Sequence, residues 1–106
     1  MSRQGRVPET GRIAIESIIH PGKTSLVDAE MYRAMRAAIL EVLPSKAPGL
    51  SRGEMLAALP PHLPESLFPG GAKAVWWSKA VQLDLEAKNV IVRESSSPLR
   101  WHRVTR

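Results

Sequence analysis

Prolines 44, 60 and 61 constrain this chain more than any other feature, because an interior proline removes a helix hydrogen bond and clashes with the preceding turn. Helices must therefore close before each of them. The run VDAEMYRAMRAAILEVLP, residues 27–44, predicts one helix ending near Leu43. Asp28 stands at the N-cap position and Glu30 in the first turn, where a negative charge meets unpaired amides. Met31, Met35, Ala38, Ile39 and Val42 recur at helical spacing as one apolar stripe, with Arg33, Arg36 and Glu41 off it. After a turn at PSKAPG comes LSRGEMLAALPP, a shorter helix. Ser51 and Glu54 have the spacing of a capping box, and Leu50 and Met55 that of a hydrophobic staple. Its buried side is Met55, Leu56 and Leu59.

A third helix is predicted over GGAKAVWWSKAVQLDLEAKN, residues 70–89, with Asn89 suited to a left-handed C-terminal conformation. At about 100° per residue, Ala74, Trp77, Val81 and Leu85 share one arc. Trp76, Ala80, Leu83 and Ala87 form the neighbouring one. An apolar surface this wide suits a helix packed against two neighbours, so both adjacent tryptophans are expected in the core. The arc holding Ser78, Lys79, Gln82, Glu86 and Asn89 is then left open. Leu63, Leu67 and Phe68 in the preceding connector should tuck beneath the core. VIVRE and LRWHRV, separated by SSSP, predict an antiparallel hairpin, with Trp101 covering the core edge.

Ahead of the helices, residues 1–12 are expected to be a flexible basic tail. Residues 13–27 follow as an extended arm rich in isoleucine (Ile13, Ile15, Ile18, Ile19), and residues 28–106 as the folded domain. A chain of 106 residues holds one domain with a modest core. The absence of cysteine fits a reducing compartment, and no apolar run is long enough for a bilayer, so a cytoplasmic location is expected. The net charge of +5 suits an anionic partner.

Three helices followed by a β-hairpin, with PGLS able to supply a small strand between the first two, is the order of a winged helix-turn-helix. The expected class is therefore mostly α (α+β), a three-helix winged helix-turn-helix domain with a C-terminal two-stranded wing. The pieces HPGKTSLVDAEMYRAMRAAILEVLP, LFPGGAKAVWWSKAVQLDLEAKNVIVRE and PLRWHRV point the same way. Over roughly residues 13–104 the chain resembles a family of small uncharacterised bacterial proteins with a winged-helix-like fold. That resemblance implies a fold and no activity.

By analogy with the fold, the third helix would enter the major groove and the wing would touch phosphates. Lys73, Ser78, Lys79 and Gln82 would then face double-stranded DNA, lysine reading guanine and glutamine adenine. Arg93, Arg100, His102 and Arg103 would neutralise phosphates from the hairpin. The expected function is DNA binding in transcriptional regulation. Glu86 and Asp84 on or near the same face argue against it, since carboxylates repel phosphates. The alternative is a protein–protein interaction module, or a homodimer joined through the four arm isoleucines.

Catalysis is not expected. GKT at residues 22–24 lacks the first glycine of a phosphate-binding loop, whose place is taken by Ser17. His20, His62 and His102 share no metal-ligand spacing and have no cysteine to assist them. No nucleophile elbow is present, and neither cofactor nor metal is implied.

Overall fold

The computed structural model describes residues 11–104. Ten residues at the N-terminus lie outside them, and with them nearly all of the expected tail. The fold is α+β, with three helices and two small sheets.

Strands β1 (Arg12–Glu16) and β2 (Thr24–Asp28) pair antiparallel, with Ala14 opposite Leu26. The expectation of an extended arm is thus corrected to a hairpin. HPG does not end a lone strand but reverses the chain: His20 N–H donates to Ser17 O, Lys23 N–H donates to His20 O, and Gly22 takes φ +87°. Ile15 is buried in the common core, so the hairpin belongs to the folded unit.

Helix α1 (Ala29–Val42) follows directly, and the Asp28 carboxylate accepts from Met31 N–H at 2.8 Å. Strand β3 (Leu50–Ser51) leads into α2 (Arg52–Ala58), whose start carries the anticipated capping box. Ser51 Oγ accepts from Glu54 N–H at 3.2 Å, and Glu54 Oε1 accepts from Ser51 N–H at 2.9 Å. The proline-rich connector makes two short 3-10 turns and buries Phe68. Helix α3 (Ala74–Ala87) ends at Asn89, which has the left-handed φ of +60° expected of it.

Strands β4 (Ile91–Glu94) and β5 (Arg100–Arg103) form the C-terminal hairpin. It is not a free two-stranded wing. β5 also pairs with β3, Leu50 opposite Trp101, giving a three-stranded sheet in the order β3–β5–β4. Gly49 permits this approach: at φ +86°, an added Cβ would lie 1.9 Å from the Trp101 carbonyl oxygen. That contact excludes every other residue there.

The core gathers Ile15 from the hairpin, Tyr32, Met35, Ile39 and Leu43 near α1, Met55 and Leu59 around α2, and Phe68 from the connector. Trp77, Val81 and Leu85 of α3 complete it with Ile91 and Trp101 of the sheet. No helix among the described residues is long and apolar enough to cross a membrane.

Candidate docking groove beside helix α3

The orientation of α3 decides which residues can meet a partner. Trp77, Val81 and Leu85 are buried as their spacing requires, but so are Ser78, Gln82, Asp84 and Glu86. Of the arc expected to be open, Ser78, Gln82 and Glu86 are closed over by two arginines from other elements, while Lys79 and Asn89 stay exposed. Arg52, the first residue of α2, donates through Nη1 to Gln82 Oε1 at 3.1 Å and through Nη2 to Ser78 Oγ at 2.9 Å and Val75 O at 3.1 Å. Gln82 Nε2 passes the chain on to Glu86 Oε2 at 3.1 Å. Arg93 of β4 closes it, donating from Nε to Glu86 Oε1 at 2.8 Å and from Nη2 to Oε2 at 3.2 Å. Burying polar groups is tolerated where each finds a partner, and this ladder supplies one to each. Burial also lowers the Arg52 pKa, because desolvation penalises its charge.

Another buried cluster fastens the N-terminal hairpin. Asp84, with no solvent exposure, accepts from Tyr32 Oη at 2.5 Å and from the Glu16 backbone N–H at 2.9 Å. Lys88 Nζ donates at 2.5 Å to Oδ1, the oxygen that also accepts from Glu16. Ile18 N–H adds a bond to Leu83 O at 3.3 Å. Burial pushes the Tyr32 phenol well above its ordinary pKa, and the adjacent Asp84 carboxylate pushes it further.

With both of those arcs used, α3 turns a third arc outward. It carries Trp76, Ala80, Leu83 and Lys79, and it is largely apolar. The expectation that Trp76 fills the core is therefore corrected. The residue is 58% exposed, and its ring packs edge-on against buried Trp77, with centroids 5.1 Å apart and planes at 85°. The helix buried its polar arc in place of this one because Arg52 and Arg93 offered that arc partners.

Opposite Trp76 stands the hairpin, and between them runs a groove of about 570 Å³. Ile15, Ile19, Leu26 and Val27 line the hairpin wall, with Ser17, His20 and Lys23 toward its tip. Leu26 is 64% exposed and Ile19 54%. Periodicity did not reveal the groove, since one of its walls was expected to be a free arm. The exposed isoleucines were the only signal for it.

The eight residues expected to contact DNA are dispersed. Ser78 and Gln82 are inside the protein. Arg93 is held by Glu86; Arg100 by Glu54 at 2.9 Å and by the Gly49 carbonyl, also at 2.9 Å. Glu54 has its pKa lowered, first by the Ser51 backbone bond and then by Arg100. His102 Nε2 lies 2.7 Å from Glu94 Oε2, and Arg103 Nε donates to Leu43 O at 2.8 Å. Of the eight, Lys73 and Lys79 remain exposed with no side-chain bond among the described residues, while Arg103, also exposed, is held by its bond to Leu43 O and not by an ion pair. The arm isoleucines also divide: Ile15 is in the core and Ile13 packs on it, while Ile18 and Ile19 face solvent. Among the described residues no group of three histidines or carboxylates is placed to hold a metal ion.

Fold and groove together define a small α+β domain with an apolar cleft between a β-hairpin and its third helix. No curated protein and no solved structure matches the chain significantly. The chain belongs to a family of unknown function (DUF6958), whose model matches residues 12–101. That span takes in the hairpin as well as the helices.

Proposed function

We propose that this domain is a protein-interaction module of winged-helix type that engages its partner through the groove between β1–β2 and α3. The helix order and the sheet order β3–β5–β4 support the winged-helix part of the reading. The observation that carries the interaction is the shared exposure of Trp76, Leu26 and Ile19 around one groove. Large apolar side chains scattered singly on a surface need no explanation, but several lining one groove, a tryptophan among them, mark a contact site.

The nucleic-acid reading keeps Lys73 and Lys79, both exposed and near Trp76. It loses support from the internal engagement of the other six candidates. Phosphate binding draws on several free cations at once, and the strip between these two lysines is apolar.

A photo-crosslinking amino acid placed at Leu26 or at Trp76, with Glu41 as an exposed control, tests the reading in the source cells. Discrete protein adducts from the groove positions, absent from the control, are expected. Identical adducts from all three positions, or none, would refute it. Adducts to nucleic acid would restore the DNA reading.

A further inference from the structure

Resting on that reading, we infer that the groove takes an acidic segment of a partner protein, in which a bulky apolar side chain is flanked by carboxylates. The apolar anchor would lie against Trp76, Leu26 and Ile19, which are more than half exposed and face one cleft. The carboxylates would meet Lys23, at the hairpin tip, and Lys79, on the helix wall. Both lysines are exposed, and neither has an ion pair among the described residues. Among the described residues Glu16 is the one acid that lines the groove.

Other occupants fit less well. Residues 1–10, MSRQGRVPET, carry two arginines, a single glutamate and no aromatic or leucine side chain, so they complement neither the floor nor the rim. A second copy brings a net charge of +5 to a lysine-rimmed surface. Six of its nine described acids are engaged, leaving Glu16, Glu30 and Glu41: Asp28 caps α1, Glu54 and Glu86 hold arginines, Glu65 accepts from Gly70 N–H, Asp84 is buried, and Glu94 meets His102. Like charges brought together across an interface are a penalty, whereas opposite charges raise the encounter rate and fix register.

The probe is a random-peptide library displayed on phage and selected on the full chain at low salt. Two exposed-site variants run alongside, Trp76→Ala and Lys23→Glu with Lys79→Glu, together with wild type at high salt. Circular dichroism confirms that each is folded. Enrichment of peptides pairing a Leu, Phe or Trp with flanking Asp or Glu is expected. Synthesised singly, they should lose binding to Trp76→Ala and weaken about tenfold or more on charge reversal or at high salt. The reversed protein should in turn select peptides bearing Lys or Arg. Trp76-dependent peptides with no acidic enrichment would overturn the inference and leave the interaction reading standing. A complete absence of Trp76-dependent peptides would overturn both. Self-association of the full chain, abolished by Trp76→Ala in sedimentation, would overturn it in favour of a second copy.

Discussion

Replacing Arg52 by methionine should cost about 2 kcal/mol of folding stability, and the structure shows where that figure arises. Arg52 donates to Gln82, Ser78 and the Val75 carbonyl. Without it, Ser78 remains satisfied, because its hydroxyl donates to Val75 O at 3.0 Å. Gln82 Oε1 does not, and its side chain has no exposure through which water could compensate. An orphaned buried acceptor costs about 1–3 kcal/mol, and losing the other two charge-assisted bonds, to Ser78 and Val75 O, adds to that. Relief from burying a guanidinium offsets part of the sum. For a domain of this size, about 2 kcal/mol lowers Tm by roughly 8–16 °C. Urea titration followed by tryptophan fluorescence, with a thermal scan by circular dichroism, measures both. The double variant Arg52→Met, Gln82→Met removes donor and acceptor together, leaves Glu86 bonded to Arg93, and should recover most of the loss. If Arg52→Met changes stability by less than about 0.5 kcal/mol, the polar arc is solvated, and the closure of α3 on that side is refuted.

Trp76→Ser should leave stability within about 0.5 kcal/mol of wild type, whereas a core tryptophan would cost about 3–5 kcal/mol; the same urea titration separates the two. Asp84→Ala should cost about 3–5 kcal/mol, since it strips partners from Tyr32, Lys88 and the Glu16 amide. Hydrogen exchange should then accelerate at Glu16 and Ile18 more than in β4 and β5. Tyr32 has a folded-state pKa raised above the unfolded value, so its contribution is complete below about pH 10 and declines as pH rises further. Tyr32→Phe should flatten that alkaline limb while costing about 1–3 kcal/mol at neutral pH, measured by urea titration across pH.

Local rules made the helices legible. Proline stops, the Asp28 cap, the Ser51–Glu54 box and the Asn89 terminus act within a few residues, and each was recoverable by position. The small strand at Leu50–Ser51 was legible for a different reason, the element order of a winged helix, which calls for a strand between the first two helices. What periodicity could not supply was the rotation of α3. A helical wheel ranks arcs by polarity, and by that measure Ser78, Gln82 and Glu86 face water. Their burial depends on Arg52, twenty-six residues before Ser78, and on Arg93, seven after Glu86. Neither partner is visible from within the helix. The hairpin failed similarly: the alternation of Ile13 and Ile15 suggested a strand, but its pairing with β2 and its seat on α3 rest on contacts distant in sequence. Since the groove lies between these two misjudged elements, the site was the least legible part of the molecule.

The anchoring of the hairpin through Asp84 also sets an order of events during synthesis. Glu16 reaches its acceptor across a separation of 68 residues, and Tyr32 reaches the same carboxylate across 52. A nascent chain is made from its N-terminus at about 5–20 residues per second. The first strands to appear therefore wait for nearly the whole domain before they can seat. Until α3 arrives, only α1 is there to cover the Ile15 side, and that interval is when a chaperone or a neighbouring nascent chain would find it.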